Sequence, residues 1–319
     1  MDRRSFLAAG ALAGLTSLIS GLAQAQTDNG GGKKPVIGLV MKSLANEFFK
    51  TMQEGAVKHA DSIGVTLIPL GIQSETDIDG QLAAVENLIT RHVDAIVIAP
   101  ADSRALLPPA IRAVKAGIKV VNIDVRFDEA SMKRHGVDIV FVGPDNRAGA
   151  KMSGDVLAKA LGRGGKVVII EGNPGAANGV QRKLGFEDAI KEGGLDLVDS
   201  RTAHWETEEA NTVFTNMLTA HPEIAGVMAA NDSMALGVVK AIEAAGKKGK
   251  IKVVSFDNIS AIGPLLADGE VLATVDQFGG QLAADGMDAA IKELHGQTLT
   301  GWIRTPLKLV TGSGGGSAG

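Results

Sequence analysis

From Val36 onward the chain alternates short apolar runs with longer segments of helical spacing, and no other feature restricts its fold as much. The runs are VIGLVM from Val36, VTLIPL from Val65, AIVIA from Ala95, VVNI from Val120, IVFVG from Ile139, VVII from Val167, GVMAA from Gly226, VVSF from Val253 and LATV from Leu272. Between the second and third, Ile78, Leu82, Val85, Leu88 and Ile89 recur at helical intervals, as one buried face requires. Stretches 105–116, 148–161, 179–192, 206–220 and 233–245 carry the same period. Strands that are apolar on both faces and alternate with such helices predict an α/β fold with parallel sheets covered on both sides. About ten strands fit two doubly wound sheets better than one very wide sheet. A closed (β/α)8 barrel is the competing architecture, and the break near Gly143 to Asn146 fits it less well.

Composition narrows the chemistry. The 319 residues are 45% hydrophobic and carry a net charge of only -4, which gives a sizeable core and no field to attract nucleic acid. Cysteine is absent, so disulfides, thiolate nucleophiles and cysteine-ligated metals are excluded. The six histidines, His59, His92, His135, His204, His221 and His295, show no metal-ligand spacing, and no metal or cofactor is expected. The GNPGAANG loop from Gly172 stands between a strand and a helix, but its spacing is wrong for a dinucleotide fingerprint. GRGGKV from Gly162 lacks the parts of a P-loop, and Ser313 makes no nucleophile elbow.

The amino terminus has the layout of a cleavable export signal. Arg3 and Arg4 precede an apolar run from Phe6 to Leu22, with small residues at Ala23 and Ala25. Paired arginines followed by Ser5, Phe6 and Leu7 look like a twin-arginine signal. Residues 1–25 are therefore read as a signal peptide, 26–34 as a flexible lead-in and 312–319 as a low-complexity tail.

In an open parallel sheet, ligands bind beyond the carboxyl ends of the strands. Here those ends carry Lys42, Asn46, Phe48 and Phe49; Asp124 and Arg126; Arg182 beyond the glycine-rich loop; Trp205; Asn231 and Asp232; Phe256 and Asp257; and Asp276 and Gln277. Carboxylates, amides and an arginine fork suit hydroxyls that both donate and accept, and aromatic rings suit the apolar C–H faces of a sugar ring. Each residue also has a plain reading. Asn46, Asp124, Asp232 and Asp257 could be helix caps, Phe48 or Phe49 could be core, and Lys42 could be a solvated charge. Asp124 and Asp257 could also form a glycosidase pair.

Those same segments resemble the sugar-binding proteins of bacterial ABC importers of the ribose and allose type, within the type I periplasmic binding proteins. The resemblance runs from Val36 to Val310 and rests on LVMKSLANEFF, VVNIDVRF, VVIIEGNPGAANGVQRKLGF, TAHPEIAGVMAANDSMALG, VVSFDN and LATVDQ. It implies that Asn46, Phe48, Phe49, Asp124, Arg182, Trp205, Asn231, Asp257 and Gln277 face a sugar. Lys42 looks more like the allose type. The ribose pattern wants arginine directly after Asp124, where this chain has Val125 and then Arg126. The resemblance further implies two lobes, 35–144 with 278–306 and 145–277 with 307–311. Hinge crossings would then lie at Pro144 and Asp145, Gln277 and Phe278, and Pro306 and Leu307. A periplasmic monomer without enzymatic activity is implied, with a monosaccharide or sugar alcohol as ligand, a membrane permease as partner and a chemoreceptor as a compatible second one. The competing classes are a periplasmic sugar-processing or nicotinamide enzyme and a repressor of the lactose type. The first would need an identifiable base or cofactor loop, the second an amino-terminal helix-turn-helix.

Overall fold

The computed structural model describes residues 34–312, so the export-signal reading of residues 1–25 and almost all of the carboxyl-terminal tail lie outside it. The first half of the chain forms β1 (Val36–Ser43), α1 (Glu47–Ile63), β2 (Thr66–Ile72), α2 (Ile78–Thr90), β3 (Ala95–Ile98), α3 (Leu107–Lys115), β4 (Lys119–Ile123), α4 (Glu129–His135) and β5 (Phe141–Gly143). There follow α5 (Asn146–Leu161), β6 (Lys166–Glu171), α6 (Ala177–Gly193), β7 (Asp196–Thr202), α7 (Thr207–Ala220), β8 (Gly226–Ala229), α8 (Asp232–Ala244), β9 (Lys252–Val254), α9 (Gly263–Ala267) and β10 (Val271–Asp276). The described chain ends with α10 (Gly279–Leu294), β11 (Trp302–Arg304) and β12 (Lys308–Thr311).

These strands build two six-stranded sheets, ordered β2-β1-β3-β4-β5-β11 and β7-β6-β8-β9-β10-β12. Every pairing is parallel except that of β12 with β10. The two orders are equivalent, and each places a topological switch point between its first-formed strand and the strand that follows on the other side. The expected α/β class with two doubly wound lobes is what the chain adopts, and the single barrel is not.

The chain passes from one sheet to the other between Gly143 and Asn146, returns between Asp276 and Gly279, and crosses again between Arg304 and Lys308. Asp145 caps α5 by accepting from the Ala148 amide at 3.1 Å. Phe278, just before α10, takes a left-handed backbone with φ 54°, a conformation that is an outlier for a bulky residue.

Several elements escape the sequence reading for identifiable reasons. Strand β7 is an edge strand, DLVDSRT, whose residues are all partly or fully exposed, so it leaves no apolar run. Strands β11 and β12 are three and four residues long and sit at sheet edges. Helix α10 opens with two glycines and has no side-chain cap, which hides its start.

Close packing of the helices sets the position of the second lobe's loops. A Cβ built on Gly237 of α8 would lie 2.0 Å from the carbonyl oxygen of Thr207 at the start of α7. Only glycine lets these two helices meet there. Replacing a helical glycine by alanine ordinarily gains up to about 1 kcal/mol, but a backbone carbonyl cannot rotate aside as a side chain can, and overpacking costs about 1–3 kcal/mol. Urea unfolding of Gly237→Ala should therefore show a net loss of stability. Gly263→Ala, where the added Cβ meets nothing within 4 Å, should be neutral or slightly stabilising.

Candidate ligand-binding site

The carboxyl ends of both sheets meet in one cavity of about 210 Å³, lined by Lys42, Asn46, Phe48, Phe49, Asp124, Asn178, Arg182, Trp205, Asn231, Asp257 and Gln277.

On the first lobe, β1 runs into Lys42 and then Asn46, which caps α1 by accepting from the Phe48 amide at 3.1 Å. Capping and lining are here the same residue's two roles. Phe48 and Phe49, on the opening turn of that helix, stand edge to face with centroids 5.1 Å apart. Both line the cavity. The Lys42 ammonium is buried, 5.0 Å from the ring centres of Phe49 and of Trp205 across the cleft. It pairs with the buried Glu75 carboxylate at 3.0 Å.

Asp124 follows β4 in a left-handed conformation with φ 60°. Asn122 holds this turn: its amide donates to the Val125 carbonyl at 2.8 Å and its carbonyl accepts from the Phe127 amide at 2.8 Å. The turn aims Asp124 into the cavity and Val125 into the core. Arg126 consequently leaves the site, contrary to the sequence expectation. It pairs with Glu129 and lies between Phe141 and Trp302, 5.7 and 5.4 Å from their ring centres, in a separate crevice beside the first crossing.

On the second lobe, Arg182 of α6 is almost wholly buried. Its Nε donates to Asn146 Oδ1 at 2.8 Å, and its Nη1 donates to the Ala230 carbonyl at 2.8 Å and to Asp257 Oδ1 at 3.3 Å. Phe256, also expected at the ligand, does not line the cavity. It lies 3.7 Å beneath the guanidinium and supports it. Trp205 (φ 73°) and Asp257 (φ 118°) are again left-handed. A Cβ on Gly172 would come within 2.1 Å of the Trp205 ring. The glycine-rich loop therefore serves as the floor on which the indole lies.

Asn231 caps α8 through the Met234 amide at 2.9 Å and also lines the cavity. Asp232 faces away from it. Its carboxylate accepts from Ser255, from Thr274 at 2.8 Å and from the Ile259 amide at 2.9 Å, tying β9 and β10 together. Gln277 donates to Asp257 at 2.8 Å, while its own carbonyl oxygen and Trp205 Nε1 are buried without a protein partner.

Asn178 and Glu75 were missed by sequence reasoning. Asn178, the second residue of α6, falls in the GNPGAANG stretch, whose glycines suggest only a phosphate cradle. Glu75 lies in the loop after the edge strand β2, where a lone acid has no pattern to mark it.

Direct bonds close the lobes over this cavity. Glu206 accepts from the Glu75 amide at 3.0 Å, and Ser233 donates to Asn46 at 3.2 Å. Asn173 donates to the Ala101 carbonyl at 3.2 Å, and the Ala177 amide to Ser103 at 2.9 Å. Near the rim, Glu47 accepts from the Ser260 amide at 2.9 Å and from the Ala261 amide at 3.3 Å. Partial burial pushes the Glu47 carboxyl up, but the Ser260 hydroxyl and these two amides together outweigh it and hold the group below the usual carboxylate range.

Buried charge dominates the interior. Burial pushes Asp124 up in spite of Lys42 and Arg182, and pushes Asp257 up to about 8 in spite of Arg182, with Asp232 and Asp124 adding to the rise. Burial likewise raises Glu75 against the pull of Lys42 and Asn46. Such a cavity can accept from and donate to several hydroxyls at once, while rings cover an apolar face. Among the described residues no group of three or more His, Asp or Glu is arranged to hold a metal.

A periplasmic binding protein domain matches residues 37–298. The chain is similar to the D-ribose/D-allose-binding protein of Pseudomonas aeruginosa, 49% identical over 88% of this chain and 89% of that one. An ABC transporter solute-binding protein of Burkholderia multivorans, solved with an unknown ligand represented as α-D-erythrofuranose, has a TM-score of 0.86 and 46% identity, covering 88% of this chain and all of that one. A periplasmic solute-binding protein of Actinobacillus succinogenes with bound D-allose has a TM-score of 0.83 and 38% identity, covering 87% and 98%. With a family domain spanning most of its length and a relative at nearly half identity, the chain belongs to the periplasmic binding protein family.

Proposed function

We propose that the chain captures a neutral monosaccharide of the allose or ribose kind between its lobes and presents the closed form to the permease of an ABC importer. The observation that carries this reading is the convergence of both sheets on one small cavity where carboxylates, amides and an arginine fork surround stacked rings. The named relatives and the D-allose-bound neighbour support it. Neutrality follows from charge. With Asp257 holding its proton, Glu75 and Asp124 balance Lys42 and Arg182 in the buried shell, so an anionic sugar would bring an unpaired charge into it.

Closing follows from where the contacts lie. Lys42, Asn46 and Asp124 belong to one lobe and Arg182, Trp205 and Asn231 to the other, so a ligand touching both favours the closed form by its differential affinity. Pro144, Asp145, Gln277, Phe278, Pro306 and Leu307 are the hinge positions in this reading, since the three crossings run through them. Export rests on Arg3, Arg4 and the apolar run to Leu22, with cleavage after Ala25.

Thermal unfolding of ligand-free protein against pentoses, aldohexoses, ketohexoses, sugar alcohols, sugar acids, amino acids and nicotinamide cofactors tests the assignment. At a hundred times its dissociation constant a native-state ligand adds about 2.7 kcal/mol. D-Allose or D-ribose should raise the midpoint, and sugar acids and cofactors should leave it unchanged; a rise with a cofactor or amino acid alone would reject the reading. Asp124→Ala should lose most of the affinity by calorimetry while melting near the ligand-free parent. Asn231→Ala should lose affinity and also about 1 kcal/mol of stability, because it removes a helix cap.

Asp257 gives a pH dependence. Its folded value of about 8 exceeds the ordinary 3.8, so the native state keeps a proton that the unfolded chain has already released. Its stabilisation is full below about pH 4 and disappears as pH rises through about 8. Calorimetric midpoints of the ligand-free protein should fall across pH 5 to 8 more steeply than those of Asp257→Asn. Parallel profiles would show that Arg182 and Gln277 outweigh burial and the neighbouring Asp124 and Asp232 and keep this carboxyl ionised throughout.

A further inference from the structure

We infer that Glu75 is a positioning residue for ligand selection: its carboxylate fixes the Lys42 ammonium in the cavity wall, and its backbone ties that ammonium to the opposite lobe. This assignment rests on the reading of the cavity given above. Glu75 does not line the cavity, yet it is buried to 1% exposure beside it. Oε2 lies 3.0 Å from Lys42 Nζ, and Oε1 accepts from Asn46 Nδ2 at 2.9 Å. One carboxylate therefore engages two cavity-lining side chains through different oxygens, Lys42 by ion pairing and Asn46 by a hydrogen bond.

The geometry of Lys42 depends on that grip. A lysine side chain has four rotatable carbons and no planar fork, so by itself its ammonium has no fixed direction. Between Phe49 and Trp205 the rings fix only a distance, 5.0 Å to each centre. The Glu75 carboxylate adds a third contact through charge, although Oε2 meets no aligned hydrogen bond, and the three contacts together confine the ammonium to one place in the cavity wall. A donor held that rigidly discriminates between epimers, because a hydroxyl on the wrong face leaves it unpaired.

Glu75 also reaches across the cleft. Its amide donates to Glu206 Oε1 at 3.0 Å, and Glu206 stands at the amino end of α7, directly after Trp205. That helix has no side-chain cap, since the carboxylate in the capping position is turned to the other lobe. Closure thus brings the Trp205 face over Lys42 and locks the segment that orients Lys42 in the same step.

The test is a double-mutant cycle on Lys42→Met and Glu75→Gln, with calorimetric affinity for D-allose and for D-ribose. The glutamine keeps an oxygen for Asn46 and removes only the charge opposite Lys42. Glu75→Gln should weaken binding of the preferred sugar about tenfold or more and narrow the allose-to-ribose ratio. Lys42→Met/Glu75→Gln, which leaves no unpaired charge and should fold even if Glu75→Gln does not, should bind no more weakly than Lys42→Met. Parent-like binding by Glu75→Gln, or a double variant markedly weaker than Lys42→Met, would overturn the assignment. Binding of neither sugar by the parent would refute the reading of the cavity instead. The Lys42 ammonium resonance in ¹⁵N-lysine-labelled protein then decides the role of Glu75. A slowly exchanging signal that Glu75→Gln abolishes supports it, and a signal absent from the parent or unchanged in the variant rejects it.

Discussion

A guanidinium that cannot lose its proton is buried at the meeting point of the two lobes, and much of the site follows from accommodating it. Arg182 has no neutral form at accessible pH, so every nitrogen removed from water needs a partner. Asn146 supplies one from the start of α5, immediately after the first crossing, and Ala230 and Asp257 supply others from the ends of neighbouring strands. Phe256 covers one face of the cation at 3.7 Å, and the Trp205 ring stands 5.5 Å away. With Nε and Nη1 so engaged, Nη2 is the part of the fork left to a ligand. The arginine is placed by groups drawn from separate segments of the chain, and the second lobe is accordingly rigid where it matters.

The same cation explains the excess of buried acids. Four carboxyls, Glu75, Asp124, Asp232 and Asp257, are buried within the region where only Lys42 and Arg182 provide positive charge. They are not equivalent. Asp232 takes three protein donors and holds strands together, Glu75 holds Lys42 and Asn46, and Asp257 accepts from Arg182 and Gln277. Among the described residues no protein group donates to the Asp124 carboxylate, although it lines the cavity, which makes it the acceptor best suited to a hydroxyl. A neutral polyhydroxylated molecule can bond with the two that line the cavity, Asp124 and Asp257, without changing the charge balance. A glycosidase arrangement of Asp124 and Asp257 would instead need one acid free to protonate a leaving group, and Asp257 is already committed to Arg182 and Gln277.

The class of fold is legible in the sequence because central parallel strands are buried on both faces and show as unbroken apolar runs. An edge strand need not show one, which is why DLVDSRT carries no apolar run although it pairs with β6. The site is legible because parallel sheets confine ligands to one end of their strands, and ten of the fourteen strand-end residues named from the sequence do line one cavity. Arg126 was misplaced because position after a strand says nothing of direction. A left-handed residue at Asp124 reverses which neighbour points inward, and only the Asn122 side chain, bonded to both Val125 and Phe127, reveals it. Glu75 escaped for the opposite reason: it acts through Lys42 without reaching the cavity, and a lone acid after an apolar strand carries no periodicity.

Capping and ligand contact are alternatives in the sequence for each polar strand end, and the structure separates them by backbone conformation. Asn46 and Asn231 are extended residues that cap α1 and α8 with one amide atom and line the cavity with the rest. Asp124, Trp205 and Asp257 are left-handed, cap nothing and line the same cavity. Each such residue costs on the order of 1–3 kcal/mol, and persists only where its surroundings determine it. Asn122 does so for Asp124, Gly172 for Trp205, and Arg182 with Gln277 for Asp257. Because the strain is held inside each lobe and not between them, it remains when the lobes part. Each lobe therefore carries these strained residues preformed, and opening releases the bonds across the cleft, among them the one that locks the Glu75 segment behind Lys42, while leaving the backbone geometry of Asp124, Trp205 and Asp257 intact.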